Sequence, residues 1–184
     1  MRKKKCIFLD RDGTLIKAII KENTNSFKLR PPYCISEFKL YKDINLLNTF
    51  SKDYLLIVIS NQPDLVNGLQ TKNFHQFINS QIKKYLKINE FAFCQCLESN
   101  PNCKCYKPKT QMIKKIISKF NISIPQSFLI GDTWRDIKMA NNINLKSILI
   151  DRGYFKELKQ DFLVNKAKPN FFINNLNQVK NIIK

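Results

Sequence analysis

The stretch KKKCIFLDRDGTL, Lys3 to Leu15, joins a short apolar run to two carboxylates spaced two positions apart. Residues 6–9 form the apolar run, which predicts a strand buried on both faces of a parallel sheet. Asp10 follows that strand directly, and Asp12 comes two positions later. Because ligands in open α/β sheets bind beyond the carboxyl ends of the strands, both carboxylates lie where chemistry is expected.

Two carboxylates in this arrangement suit phosphoryl transfer. Asp10 can attack phosphorus and form an aspartyl-phosphate, which divides one difficult displacement into two easier ones. Asp12 can protonate the leaving oxygen and then deprotonate the attacking water. The alternative is an ordinary surface turn, since Asp and Gly are common turn residues at strand ends.

The segment FLDRDGTL resembles the first motif of the haloacid dehalogenase superfamily of phosphohydrolases. Later segments resemble the remaining motifs in the same order, namely Ser60-Asn61-Gln62, Lys107-Pro108 and Gly131 to Asp136. The resemblance covers nearly the whole chain. It implies an α/β, three-layer Rossmann-like fold with a parallel sheet and no large cap domain.

The same resemblance implies roles for the matching residues. Ser60 would hold a phosphoryl oxygen, as a hydroxyl at a strand end can. Lys107 would neutralise the phosphoryl group in the transition state. Mg²⁺ would be held by Asp10, Asp12 through its carbonyl, and Asp132, while Asp136 would support the metal site or Lys107.

Four of the six cysteines form two C-x-C pairs, Cys94 with Cys96 and Cys103 with Cys105. Adjacent C-x-C thiols bridge each other poorly, whereas four thiolates can close a tetrahedral, structural Zn²⁺ site; unligated cysteines are the alternative. The loop 94–105 resembles the zinc loop of the heptose bisphosphate and histidinol-phosphate phosphatases. In those families His usually takes the place of Cys96.

Several residues are candidate substrate contacts. Arg30 and Tyr33 end a predicted loop or flap over residues 16–32, with a plain connection as the alternative. Asn61 and Gln62 follow Ser60, and Tyr106 stands where the resembled families usually have Arg, which leaves the substrate open. His75, the only histidine, lies among polar neighbours and is predicted to be a surface residue.

Periodicity and turn residues predict strands over residues 54–59, 91–93, 128–130, 147–150 and 171–173. Helices are predicted from Asp43, as N-cap, to about residue 52, and from Thr71, as N-cap, to residue 86. Further helices are predicted over residues 110–120 and 176–183.

Length and charge set broad limits. A chain of 184 residues predicts a single domain over residues 1–184, and we expect a monomer. The formal charge of +18 raises nucleic acid as a partner, but the lysines are spread along the chain, which favours a solvated basic surface and no nucleic-acid partner. The first apolar run is too short for a signal peptide, so a cytoplasmic protein without membrane contact is expected.

The expected function is Mg²⁺-dependent hydrolysis of a small sugar phosphate. D-glycero-D-manno-heptose 1,7-bisphosphate, losing its 7-phosphate on the route to lipopolysaccharide, is the first choice, because PDLVNGL and GDTWRDIKMA resemble that branch most closely. Three alternatives stay open: a histidinol-phosphate phosphatase, a nucleic-acid 3′-phosphatase, and a non-catalytic binding module stabilised by zinc.

Overall fold

Six parallel strands form the central sheet of the computed structural model, which describes residues 2–23 and 26–184. The strands, in chain order and including a separate antiparallel hairpin of β2 and β3, are β1 (Lys5–Leu9), β2 (Ile19–Asn23), β3 (Ser26–Arg30), β4 (Tyr54–Asn61), β5 (Glu90–Cys94), β6 (Phe128–Gly131), β7 (Lys146–Ile150) and β8 (Phe171–Ile173).

The order of strands across the sheet is β5-β4-β1-β6-β7-β8. The chain therefore builds outward from β1 in one direction, returns, and builds outward in the other. This is the doubly wound order, and its reversal lies between β1 and β6. Ligands bind at the carboxyl ends of the strands beside such a reversal. The topology therefore predicts a ligand site at the residues that follow β1 and β6.

Alternating side chains of β1 supply both layers of the core. Ile7 and Leu9 join the apolar cluster on one face of the sheet, while Cys6 and Phe8 join the cluster on the other. All four side chains are fully buried. The unbroken apolar run therefore forms the doubly covered strand that it predicts, and the predicted fold class is confirmed.

Four α-helices cover the sheet: α1 (Lys72–Tyr85), α2 (Gln111–Phe120), α3 (Trp134–Asn141) and α4 (Phe155–Val164). Thr71 caps α1 as predicted, because its hydroxyl accepts a hydrogen bond from the Phe74 N–H. Helix α4 was not predicted from the sequence pattern. Within the described residues, no helix combines the length and the apolarity needed to cross a bilayer.

Two predicted α-helices are 3₁₀-helices instead, Ile44–Phe50 and Leu176–Asn181. Asp43 does not cap the first of them through its side chain. Its carboxylate is bound by the Arg152 guanidinium, at 2.7 and 3.1 Å, and by the Leu176 N–H at 2.8 Å. A tertiary ion pair has thus replaced the local cap.

The segment predicted as a loop or flap is more ordered than expected. Residues 16–32 contain the β2–β3 hairpin, whose register runs from the pair Ile19 and Arg30 to the pair Asn23 and Ser26. Residues 24 and 25 of this segment lie outside the described residues. The hairpin ends at the cavity described below, because Leu29 and Arg30 line it.

Candidate active site

The carboxyl ends of β1, β4 and β6 surround one cavity of about 380 Å³. The residues that follow these strands, together with Lys107, supply its polar floor. The predicted site residues among its lining are Asp10, Asp12, Arg30, Tyr33, Ser60, Asn61, Tyr106, Lys107 and Asp132. The structure therefore brings together residues that are more than a hundred positions apart in sequence.

Lys107 joins two carboxylates at the floor of this cavity. Its Nζ donates to Asp10 Oδ1 at 2.5 Å and to Asp136 Oδ1 at 2.6 Å, and all three side chains are buried. Burial raises the pKa of Asp10 well above its ordinary value, against the opposing charge of Lys107. Burial would lower the pKa of Lys107, but the two carboxylates raise it, so this lysine stays protonated.

Asp136 and Asn61 hold Lys107 from two sides. The second oxygen of Asp136 accepts from the Thr133 hydroxyl at 2.7 Å and from the Thr133 N–H at 3.3 Å, and the latter bond belongs to a capping box at the start of α3. The Asn61 side chain binds the backbone of Lys107 in both directions, accepting at 2.9 Å and donating at 3.2 Å. Asn61, a predicted substrate contact, lines the cavity while its amide binds the Lys107 backbone.

Asp132 lies across the cavity floor from Lys107. The Tyr154 hydroxyl donates to Asp132 Oδ2 at 2.6 Å, and burial together with Asp136 raises the pKa of Asp132 to about 7. Gly13, at φ +94°, runs so close to Asp132 and Tyr154 that a Cβ there would collide with both. The left-handed turn after β1 and the close approach both require glycine.

The three buried carboxylates suit a divalent cation. Oxygens of Asp10, Asp132 and Asp136 lie within 4.8 Å of one another, and oxygen ligands are those that Mg²⁺ prefers. Asp136 is already shared between Lys107 and Thr133. Asp10 and Asp132 line the cavity and are the carboxylates best placed for a metal, whereas both oxygens of Asp136 are engaged and Asp136 is better described as the support of Lys107.

The Asp12 side chain turns away from that cluster. Its Oδ2 accepts from Gln62 Nε2 at 2.6 Å and from Arg11 Nε at 3.1 Å, is ion-paired with Arg11 Nη2 at 3.0 Å, and lies 3.4 Å from the Ser60 hydroxyl. Gln62 was a predicted substrate contact. The structure instead buries it to 1% exposure behind Asp12, because its amide is held by Arg11, Ser60 and Asp12.

His75 is not the surface residue that its polar neighbours predict. It is 7% exposed, its Nδ1 faces Arg11 Nη1 at 3.0 Å, and its ring lies edge-on to Phe93. Burial, then the Arg11 charge, lowers the pKa of His75 to about 4. The helical spacing of α1 carried the signal for its burial, since His75 is next to Phe74 and three residues before Ile78.

The mouth of the cavity carries paired charges. The Arg30 guanidinium binds Glu37 at 2.7 and 2.5 Å and stacks on Tyr33, with 4.4 Å to the ring centroid. On the opposite wall Arg135 binds Glu98 at 2.7 and 2.9 Å. The Tyr106 hydroxyl lies 3.5 Å from the same carboxylate. Sequence reasoning missed Arg135 and Glu98, although Arg135 lies inside the last motif.

The four predicted zinc ligands form a second cluster beside the cavity. Their sulfurs lie within 4.8 Å of one another, and Cys94 and Cys105 approach to bonding distance. The other close pairs are 3.6 to 3.8 Å apart. Tetrahedral zinc with Zn–S bonds of about 2.3 Å separates its sulfurs by about 3.8 Å, which the other close pairs match, and a zinc site would require the bond between Cys94 and Cys105 to be reduced.

Comparison with known proteins agrees with the motifs. Residues 104–179 match the Hydrolase_like family model, which describes HAD-hydrolase-like proteins. The histidine biosynthesis bifunctional protein HisB of Blochmanniella floridana is 31% identical over 163 residues, which are 82% of this chain and 42% of that protein. HisB of Buchnera aphidicola from Acyrthosiphon pisum (strain Tuc7) is 33% identical over 155 residues, 79% of this chain and 40% of that protein.

Among solved structures, the D,D-heptose 1,7-bisphosphate phosphatase from B. bronchiseptica, complexed with magnesium and phosphate, superposes with a TM-score of 0.75. Its sequence identity is 18%, with 97% of each chain covered, so this likeness concerns the fold. The chain spans less than half the length of the curated relatives that it matches. The family match, the motifs and the sheet topology together identify a haloacid dehalogenase-like domain in this chain.

Proposed function

We propose that this protein is a Mg²⁺-dependent phosphatase that acts through an aspartyl-phosphate on a small phosphorylated sugar. The observation that carries the proposal is the floor of the cavity. Asp10 is ion-paired with Lys107 there, Asp132 faces them, and Asp12 lines the same space. Phosphoryl transfer requires a nucleophile, a fixed positive charge, a cation site and an acid, and all four lie within this cavity.

The reaction uses these side chains in two displacements. Asp10 attacks phosphorus, and the bond to the leaving oxygen breaks while Asp12 gives that oxygen a proton. Water then attacks the aspartyl-phosphate, and Asp12 takes a proton back. Lys107 and the Ser60 hydroxyl bind the oxygens of the transferring group. When bound at Asp10, Asp132 and the Asp12 carbonyl, Mg²⁺ supplies further neutralisation of the phosphoryl charge.

D-glycero-D-manno-heptose 1,7-bisphosphate is the first substrate proposed. Support comes from the solved heptose bisphosphate phosphatase, which covers 97% of this chain, and from the charges at the cavity mouth. Arg30 and Arg135 each present a guanidinium beside the cavity, although each is paired with a Glu. A second phosphate on the substrate would compete with Glu98 or Glu37 for one of them.

Histidinol phosphate is the second candidate, favoured by the likeness to HisB proteins. Such a substrate carries an ammonium group in addition to its phosphate. Asp64 and Glu98 line the cavity and offer carboxylates to that group. The two candidate substrates would thus bind different groups at the mouth of the cavity. The bisphosphate would bind the guanidinium groups there, and histidinol phosphate would bind the carboxylates.

Phosphate release from both compounds, with Mg²⁺ and with EDTA, tests the proposal. Asp10→Asn should lower turnover by at least ~10⁴-fold with either substrate, because the amide oxygen is a poor nucleophile. Asp161→Asn, an exposed change on α4, is the matched control and should retain full activity. Retained turnover in Asp10→Asn, or release that EDTA does not affect, would contradict the proposed mechanism.

The zinc cluster belongs to the same proposal in a structural role. Four thiolates fill the coordination sphere of zinc and leave no open position for water or substrate. Tyr106 and Lys107 follow the last ligand directly, and the Tyr106 N–H points to Cys103 Sγ at 3.3 Å. A closed zinc site would therefore hold in place the segment that positions Lys107 beside Asp10.

A further inference from the structure

We propose that Arg11 is a positioning residue that orients the acid Asp12, so that one carboxyl oxygen anchors the group and the other carries the transferred proton. The inference rests on the proposed function, because it assigns a task within the acid step. Arg11 lies between the two catalytic carboxylates in sequence, and its side chain is fully buried.

Every part of the Arg11 guanidinium is engaged behind Asp12. Nε and Nη2 lie 3.1 and 3.0 Å from Asp12 Oδ2. Nη2 also donates to Gln62 Oε1 at 2.6 Å. Nη1 reaches His75 Nδ1 at 3.0 Å and Asn79 Oδ1 at 3.3 Å. A buried guanidinium whose N–H groups all have acceptors is held in one orientation. It therefore also fixes the orientation of the Asp12 carboxylate that it binds.

Arg11 also acts on Asp12 through Gln62. Because the guanidinium donates to Gln62 Oε1, the amide must turn its Nε2 the other way. That nitrogen donates to Asp12 Oδ2 at 2.6 Å and to the Ser60 hydroxyl at 2.9 Å. Without Arg11 the amide of Gln62 is free to flip, and a flipped amide would set its oxygen against the Asp12 carboxylate.

The two oxygens of Asp12 consequently differ. Oδ2 accepts from Gln62 Nε2 at 2.6 Å and from Arg11 Nε at 3.1 Å and is ion-paired with Arg11 Nη2, whereas the one hydrogen bond to Oδ1 among the described residues is its share of the same Nε–H, at 3.2 Å. Asp12 lines the cavity, and Oδ1 is the oxygen with acceptor capacity left to hold a proton. With a proton on Oδ1, Oδ2 becomes a carbonyl oxygen that still accepts from the same donors.

The contacts of Oδ2 with Gln62 and Arg11 therefore hold Asp12 in the same orientation in both halves of the reaction. In the first half, the Oδ1–H bond breaks and the proton passes to the leaving oxygen, which takes the electron pair of the broken P–O bond as Asp10 forms its bond to phosphorus. In the second half, Oδ1 takes a proton from the attacking water. His75 supports Arg11 as a neutral acceptor, because its Nδ1 faces Arg11 Nη1 at 3.0 Å on the side of the guanidinium away from Asp12.

Leaving-group dependence tests this role. 4-Nitrophenyl phosphate releases a stable phenolate and needs little protonation, whereas β-glycerophosphate releases an alkoxide that must be protonated. For Arg11→Met we expect kcat to fall by about 100-fold with β-glycerophosphate and by less than about 10-fold with 4-nitrophenyl phosphate, with KM changed little. Arg11→Lys keeps the positive charge but lacks the planar set of guanidinium donors, so its kcat with β-glycerophosphate should be higher than that of Arg11→Met and lower than that of the wild-type protein.

Two further variants keep the test decisive. If Arg11→Met does not fold, Gln62→Met removes one donor to Oδ2 without removing a buried charge, and it should show the same bias between the substrates. Arg152→Met is the matched control, since Arg152 is a second buried arginine paired with an aspartate, Asp43. It should lower the melting temperature and leave the ratio of the two kcat values unchanged.

The outcomes separate the two proposals. If the wild-type protein hydrolyses both phosphates and Arg11→Met slows them equally, Arg11 has only a structural role and the inference is overturned. If the wild-type protein hydrolyses neither of them, nor either proposed substrate, the function itself fails, and the inference with it. In an Asp12→Asn background, Arg11→Met should add no further bias, because the group on which Arg11 acts has been removed.

Discussion

At the scale of single residues, burial has given His75 an unusual acid–base behaviour. Its pKa is about 4 in the folded protein, against an ordinary value of 6.5, because burial and the Arg11 charge both disfavour the imidazolium. Between these two pH values the unfolded chain binds a proton that the folded chain does not. The free energy of unfolding should therefore fall as the pH is lowered from 6.5 towards 4.

His75→Gln measures this contribution directly, since the chain has one histidine. The wild-type protein should lose on the order of 2 kcal/mol more stability than His75→Gln between pH 7 and pH 5. Urea unfolding at the two pH values gives both numbers, and the carboxylate titrations common to both proteins cancel in the difference. Equal losses in the two proteins would mean that His75 titrates normally and is not held neutral by Arg11.

At the scale of elements, the loop from Cys94 to Cys105 connects β5 to the segment that carries Lys107. It has few apolar residues to bury, so its order should depend on zinc. We expect about one zinc ion per chain, and six reactive thiols in denaturant with EDTA, because zinc binds the cysteines reduced. Four reactive thiols would instead indicate a disulfide between Cys94 and Cys105.

The same loop offers a functional comparison. Cys96→Ser should lower zinc content and reduce phosphatase activity by about 10- to 100-fold, because the support of Lys107 is loosened while the catalytic side chains remain. Cys34→Ser is the matched control, since Cys34 is an exposed cysteine outside the cluster. A zinc-free Cys96→Ser protein with full activity would separate the loop from the site.

At the scale of the whole molecule, 32 basic and 14 acidic residues give a net charge of +18. Such a field attracts any phosphorylated compound and accelerates its capture, without specifying which compound. Affinity for a 3′-phosphorylated oligonucleotide should therefore fall steeply with salt and be lost near 0.15 M. Binding that persists at this ionic strength, with release of the 3′-phosphate, would revive the nucleic-acid alternative.

The sequence alone determined the parts of this protein that depend on local pattern. The apolar runs before Asp10, Ser60 and Asp132 identified the strands, because a strand buried on both faces must be apolar throughout. The motifs that end those strands indicated the candidate nucleophile and the acid, and their resemblance to a known superfamily indicated the metal ligand. Parallel strands gather their carboxyl ends at one edge of the sheet, so these residues were expected to meet. The predicted fold class needed no further information.

The tertiary structure alone decided what lies behind those side chains. Gln62 and Asn61 have polar side chains of the kind that contact substrates. In the structure, the Gln62 amide binds Asp12 and the Asn61 amide binds the Lys107 backbone. The order of residues along the chain does not distinguish these two roles. Arg11 and His75 are 64 residues apart in sequence, and Tyr154 and Asp132 are 22 residues apart. Such pairings arise from the packing of different elements, because a buried polar group accepts whichever partner the assembled core brings within hydrogen-bonding distance.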